Sequence, residues 1–385
     1  MSIRTDIGIS FTLTAEQREL QQLAHEFAAG ELRPVAAEWD EREDYPPELL
    51  AKAAQLGLTS YRIPREYGGA EVDAVTAALV AEELSWGCAG LAATIGATMF
   101  PVRPLIRFGT EEQRHRYLPR LASEEGCLAA IAFTEPHAGS DVNAMLSTAR
   151  RDGDEWVLNG EKCYVTNGGI AALTVVFART EAGISAFLVE RDDPGVVPGR
   201  KELKLGLRSS YTGSVILEDA RIPADRLLGE DGEGFLGAMD FFEHSRPQVA
   251  AGAVGVARAA FEHATDYARE RKAFGKPLLA KQGVSFKLAD MAMEIEAARL
   301  LVWRACAACD AGEDAGLLGS YAKAFAADTA MKATTDAVQV LGGAGIMRDH
   351  PVEKWLRDAK VFQIVEGTSE IQRHVIAGYL RRGNG

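Results

Sequence analysis

Apolar residues recur at helical spacing from Leu20 through Leu23 to Phe27, behind Thr14-Ala-Glu-Gln17, which has the form of a capping box, so the chain is predicted to enter its first element as a helix. Pro46-Pro47-Glu48 predicts a second helix ending near Gly57, Asp73 to Trp86 a third that is apolar enough to be buried, and Thr110-Glu-Glu-Gln113 a further capped start. The pattern then changes to short β-rich runs. Asn159-Gly160 inside EWVLNGEKCYVTN predicts a type I′ hairpin; LTVVFART and ISAFLVE, split by Glu181-Ala182-Gly183, predict another, and GSVILEDARIP a further strand. After Gly232-Glu-Gly234 the helical period returns, with Val284, Leu288, Met291, Ile295, Ala298 and Val302 forming a seam that steps by four and three.

The expected fold is multi-domain α and β: an N-terminal helical domain (1–126), a central antiparallel, β-barrel-like domain (127–232) and a C-terminal four-helix bundle (233–385). A chain of 385 residues exceeds what one core usually organises, which agrees with several domains and leaves interior to bury a cofactor. The net charge of -13 argues against nucleic acid as a partner, because neutralising phosphates needs a basic surface. Five cysteines, odd in number, point to a reducing cytosol. Cys306 and Cys309 form a C-x-x-C on a helical stretch with no second pair, so a metal is not expected. The N-terminus lacks the apolar core of a signal peptide and no run approaches 18 apolar residues, so a cytoplasmic protein that avoids the membrane is expected.

No G-x-G-x-x-G follows a strand, and the P-loop, zincin and nucleophile-elbow motifs are absent. What remains is FTEPHAGSDV (133–142), YVTNGG (164–169), RKAFGKPL (271–278), QVLGGAGI (339–346) and IVEGTSEIQR (364–373). Taken singly, these read as a turn, a strand end, a basic helix end and a helix stop. Glu366 is the exception. Ile364 and Val365 precede it and a Gly-Thr-Ser break follows, which predicts a carboxylate aimed inward from a helix terminus, where a base would be kept dry.

Together, and in this order, these stretches make the chain resemble the acyl-CoA dehydrogenase family, most closely its medium-chain type, from about residue 11 to 380. The resemblance implies FAD held between the domains near a dimer interface, a homotetramer built as a dimer of dimers, an acyl-CoA substrate, a place in fatty-acid β-oxidation, and an electron-transfer flavoprotein as acceptor. It implies that Phe133, Thr134 and Ser140 touch the flavin ring and the pyrophosphate or thioester end, and that Tyr164 and Thr166 cover the flavin. Arg271, Phe274, Gln282, Gln339, Gly342 and Gly343 would hold the adenine-diphosphate part, often of a neighbouring subunit's cofactor; Thr368 and Glu370 would be further flavin contacts. Arginine suits a diphosphate through its planar fork, and glycine lets the backbone come close.

In this resemblance Glu366 removes the α-proton of an acyl thioester while the β-hydrogen leaves as hydride to flavin N5, and Gly367 lets the backbone approach the thioester. Ser245 and Arg246 match positions on the CoA side, beside Glu243. Some relatives carry the base immediately ahead of that arginine; here the position is Ser245, so the base falls on Glu366. His137 replaces a usual glycine, Tyr164 a common tryptophan and Val365 a frequent tyrosine. His137 is either a solvent-facing side chain in a tolerant loop or a sign of an unusual acyl group or carrier. An oxygen-reacting acyl-CoA oxidase, or a non-catalytic binding or assembly protein of the same fold, are the alternatives.

Overall fold

The computed structural model describes residues 12–382, so the reading of the extreme N-terminus lies outside the described residues. Six helices come first: α1 (Ala15–Phe27), α2 (Ala36–Arg42), α3 (Pro47–Gln55), α4 (Ala74–Ala97), α5 (Val102–Phe108) and α6 (Glu111–Leu121). Both capping boxes form, with the Thr14 and Thr110 hydroxyls accepting from the backbone N–H of Gln17 and Gln113. Helix α4 runs past the predicted end at Trp86, through a non-helical Cys88.

Residues 74–108 are long and apolar enough by composition to pass as a membrane span, although the sequence reading found no run approaching 18 apolar residues. The stretch is instead largely a core element. Its Glu82 and Glu83 are buried and take hydrogen bonds from Arg258 and Arg299, and α4 packs against α7 (Gly234–Glu270). Apolarity alone cannot separate burial in protein from burial in lipid; the paired glutamates show which applies here.

The middle section is an eight-stranded sheet made of β1 (Ala129–Ala132), β2 (Thr148–Asp152), β3 (Glu155–Thr166), β4 (Leu173–Arg179), β5 (Ile184–Glu190), β6 (Val196–Lys201), β7 (Thr212–Pro223) and β8 (Leu227–Leu228). Its order is β6-β7-β3-β2-β4-β5-β8, with β1 also on β4. The pairing is mostly antiparallel, but β1 runs parallel to β4 and β2 touches β4 in parallel. The β4–β5 hairpin forms as expected. The Asn159-Gly160 hairpin does not: both residues lie inside β3, at a register shift against β7. Asn159 bonds to Asp219 across the strands, and a Cβ on Gly160 would meet Ser147 Oγ at 2.2 Å. The glycine serves a bulge and a close approach, and the chain reverses earlier, at Gly153-Asp154.

After α7 comes a small hairpin of β9 (Lys272–Ala273) and β10 (Lys276–Pro277). Its two turn residues, Phe274 and Gly275, have φ of 53° and 75°, so the type I′ signature appears here, inside RKAFGK. Helices α8 (Gln282–Asp310), α9 (Gly316–Leu341), α10 (Val352–Phe362) and α11 (Ser369–Arg381) complete the chain. The predicted α8 seam is observed, with Leu288, Met291, Ile295, Ala298 and Val302 buried and Val284 packed against them. Burying a side chain the size of Ile295 stabilises the fold by about 2 kcal/mol. Alanines such as Ala253, Ala257, Ala326 and Ala330 line α7 and α9 and let those helices pack closely. Helices α10 and α11 pack along α9, which places the loop between them beside Lys323 of that helix.

Candidate active site

That loop carries Glu366. Helix α10 stops at Phe362, Glu366 and Gly367 follow with φ of 57° and 86°, and Thr368 then caps α11 by accepting from Ile371 N–H. Two successive left-handed residues reverse the chain sharply. For a glutamate that conformation costs about 1 kcal/mol, so the surroundings must hold it. Ser369 N–H bonds to Gln363 O at 2.9 Å, Lys323 Nζ donates to Gly367 O at 2.7 Å, and Gln372 Nε2 donates to the carbonyls of Glu366 and Gly367 at 3.0 and 2.9 Å. A Cβ on residue 367 would lie 2.8 Å from Gln372 Nε2, so this tie needs glycine.

The turn aims the Glu366 carboxylate at α7, where Ser245 Oγ donates to its Oε2 at 2.7 Å. The residue keeps some accessible surface, while its carboxyl end is enclosed. Desolvation raises its pKa above the usual carboxylate value, and the Ser245 hydrogen bond and the charges of Arg246 and Lys323 oppose this only in part. Ser245, read as facing CoA where other relatives keep their base, is here the hydrogen-bond donor to Glu366. Arg246 is buried, its Nε has no hydrogen-bond partner among the described residues, and its guanidinium carbon is 5.9 Å from the Phe242 ring. Glu243 looks elsewhere, towards Asp314, which accepts from Tyr379 OH; burial and Asp314 raise the Glu243 pKa.

Phe242 links this corner to the sheet, since its ring meets Phe133 at 5.7 Å between centroids. Cys163 N–H bonds to Thr134 O at 2.9 Å, which sets the loop after β1 against the end of β3, where Tyr164 and Thr166 stand. Residues 133, 164, 242, 246 and 366, remote in sequence, are thereby connected. Beneath them Glu135 and Lys162, both fully buried, pair at 2.7 Å, and Glu135 also accepts from Leu146 and Ser147 N–H. Burial pushes the Glu135 carboxyl up, but these bonds outweigh it and hold it at about 2. His137 lies half-exposed, 3.4 Å from Glu135.

Family models match three parts of the chain: "Acyl-CoA dehydrogenase, N-terminal domain" over residues 14–125, "middle domain" over 130–220 and "C-terminal domain" over 232–380. The chain belongs to the acyl-CoA dehydrogenase family. It is 44% identical over 377 residues to "Acyl-CoA dehydrogenase" of Bacillus subtilis, covering 96% of this chain and 99% of that one. Among solved structures it is similar to butyryl-CoA dehydrogenase from Megasphaera elsdenii, with a TM-score of 0.95 and 40% identity over 97% of this chain and 100% of that one. A structure described as an electron transferring flavoprotein of Acidaminococcus fermentans also matches, with a TM-score of 0.94 and 40% identity over 97% and 100%. "PigA with FAD and proline" matches with a TM-score of 0.92 and 31% identity over 97% and 99%.

As an acyl-CoA dehydrogenase the chain is an oxidoreductase whose cofactor is FAD. Its surface fits that group. Tyr164, 65% exposed with φ of 56°, presents an aromatic face beside Thr166. Farther off, Phe274 is 96% exposed on its hairpin tip and Arg271 has no ion-pair partner among the described residues. Gly342 and Gly343 have open space where a Cβ would stand, and Gln282 and Gln339 are exposed. These residues are open to the surface. Ser140 and Glu370 are exposed, with Glu370 in the first turn of α11.

Lys323 and Gln372 were not found from the sequence. A signal for Lys323 was present: in SYAKAFAADTA it falls on the same helix stripe as Ser320, Ala327 and Ala330, all buried. Gln372 gave none, because a glutamine one turn into a helix is ordinary.

Proposed function

We propose that this chain dehydrogenates an acyl-CoA thioester across Cα–Cβ to the trans-2-enoyl-CoA, with Glu366 as the base, and passes the electrons to an electron-transfer flavoprotein. The observation that carries the reading is the Glu366 carboxylate, turned inward by a strained loop, given a single side-chain donor and made more basic by desolvation. The α C–H proton goes to a Glu366 carboxylate oxygen, and its electron pair forms the new double bond as the β-hydrogen leaves with two electrons. Bound FAD supplies the acceptor for that hydride. Ser245 keeps the carboxylate oriented, and the unpartnered Nε of Arg246 offers a buried cationic donor to a polar group of the substrate. Phe133, Thr134, Ser140, Tyr164, Thr166, Thr368 and Glu370 would hold the flavin end of the cofactor; Arg271, Phe274, Gln282, Gln339, Gly342 and Gly343 would hold the adenine-diphosphate end of a neighbour's.

That sharing implies an assembly, which we read as a homotetramer. Phe286 and Met293 on α8 and Phe325 on α9 leave apolar surface exposed, beside a groove of about 610 Å³ lined by Phe286, Lys287, Asp290, Met331 and Thr335. Equilibrium sedimentation should give four chains, and Phe286→Glu with Met293→Glu should lower that number.

Anaerobic addition of butyryl-CoA or octanoyl-CoA to the yellow protein should bleach the flavin within seconds, and Glu366→Gln should slow the bleaching by about 10³-fold. Bleaching of Glu366→Gln at the parent rate would overturn the assignment of the base. Rapid peroxide release with no added acceptor would replace the flavoprotein partner with oxygen.

A further inference from the structure

The Glu366–Gly367 turn is tied down by an ammonium group that the proposed chemistry does not use. Lys323 is 1% exposed on α9 in the alanine-rich interior of the bundle, has no ion-pair partner among the described residues, and gives its bond to a backbone oxygen, that of Gly367. Removing an ammonium from water is costly, and a carbonyl partner alone offsets that cost poorly. A tie to one carbonyl could be made by a neutral amide, as Gln372 shows on the same turn with its Nε2 shared between two carbonyls. What a lysine adds is charge, and the group able to use it is the desolvated carboxylate next to the tied peptide.

We propose that Lys323 is a positioning residue for Glu366: it locks the left-handed turn through the Gly367 carbonyl and, by its charge, keeps the carboxylate ionised and able to take a proton. This rests on the reading of Glu366 as the base. The surrounding groups agree with it. The carboxylate is faced by Ser245 and Arg246 from α7 and by Lys323 from α9. The ammonium is faced by Glu366, by Arg246, by Asp328 of its own helix and by Glu370 of α11. Asp328 is already held by Arg373, Gln363 and Ser369, which leaves Lys323 to act on the turn. Burial brings Lys323 down to about 8, and Glu366 opposes that fall, so the group is still mostly charged at neutral pH. Arg246 adds charge from the other side but has no bond to the turn, so it cannot replace the tie.

The test uses the FAD-loaded enzyme and the variants Lys323→Gln, which keeps an uncharged donor, Lys323→Met, which keeps neither donor nor charge, and Lys323→Arg. Two readouts are taken across pH: the rate of anaerobic flavin reduction by butyryl-CoA, and the infrared titration of Glu366 in ¹³C-glutamate-labelled protein, with Glu366→Gln as the blank. In Lys323→Gln the ascending limb and the infrared titration should both move to higher pH, with the maximal rate within about threefold of the parent. In Lys323→Met the same shift should come with a maximal rate lower by about tenfold, as expected when a base loses its alignment. Lys323→Arg should bring the limb back towards the parent. If both neutral variants fold, bind FAD and titrate with the parent, the proposal is overturned. If Lys323→Met does not fold, Lys323→Gln decides; if neither folds, the ammonium is a structural prop and the proposal falls. Parent-like bleaching by Glu366→Gln would instead remove the underlying assignment of the base, an outcome separate from an inactive Glu366→Gln with unmoved Lys323 variants.

Discussion

Two glutamates whose carboxyl groups are enclosed, Glu135 and Glu366, each have a buried lysine nearby, and they end in opposite states. Glu135, under the loop after β1, bonds directly to Lys162 and to two backbone N–H groups, so its charge is fully compensated and its pKa is held down at about 2. Glu366 receives one hydroxyl, while its lysine bonds to the backbone one residue on, and its pKa is raised. The same two residue types thus make an ion pair with a depressed carboxyl pKa in one place and a desolvated carboxyl with a raised pKa, the base of the proposed reaction, in the other. What separates them is where the lysine donates: at Glu135 it bonds the carboxylate directly and lowers its basicity, and at Glu366 it bonds the carbonyl one residue on, the contact on which the proposed positioning role rests.

Each side of this comparison can be broken. The largest effect is expected for Glu366→Gln, which should slow flavin reduction by about 10³-fold with FAD binding unchanged, measured by anaerobic stopped flow. Next is Glu135→Gln, which leaves Lys162 charged and unpaired in the interior and should destabilise the fold by about 3 kcal/mol in urea titrations, with the Lys162→Met double variant recovering much of the loss. Because the Glu135 pKa is depressed, its contribution is present above its unfolded value of 4.5 and is lost as pH falls towards about 2, so the gap between parent and Glu135→Gln should close over that range.

Ser245→Ala removes the one side-chain donor to the Glu366 carboxylate among the described residues, so the ascending limb of the pH–rate profile should move up with a rate loss of less than about tenfold. An unmoved limb would mean that Ser245 does not set the basicity of Glu366. The smallest effect concerns stability. With a raised folded pKa, Glu366 lowers stability as pH rises from 4.5 through its folded value, so Glu366→Gln should melt about 2 °C above the parent at pH 8 and level with it below pH 4.5. An equal melting point at pH 8 would show that the Glu366 carboxylate is not desolvated.

Much of this was legible along the chain. The helical, β and helical order followed from the change of hydrophobic period, and both capping boxes from residue types alone. Glu366 could be singled out because a β-branched pair before it and Gly-Thr-Ser after it leave few places for its side chain. The Asn159-Gly160 turn failed because glycine answers two needs, positive φ and close approach, and sequence cannot say which applies. The same ambiguity hid the type I′ turn at Phe274-Gly275, where a phenylalanine takes the conformation usually given to asparagine or aspartate.

The sequence by itself determined most of the local elements and a chain break that suggested an inward-turned carboxylate at Glu366, since these rest on residues close in the chain. Only the tertiary structure decided the state of that carboxylate. The donor on α7, the ammonium on α9 and the amide on α11 meet it because three helices pack at one corner, and charge and desolvation act through space and carry no period along the chain.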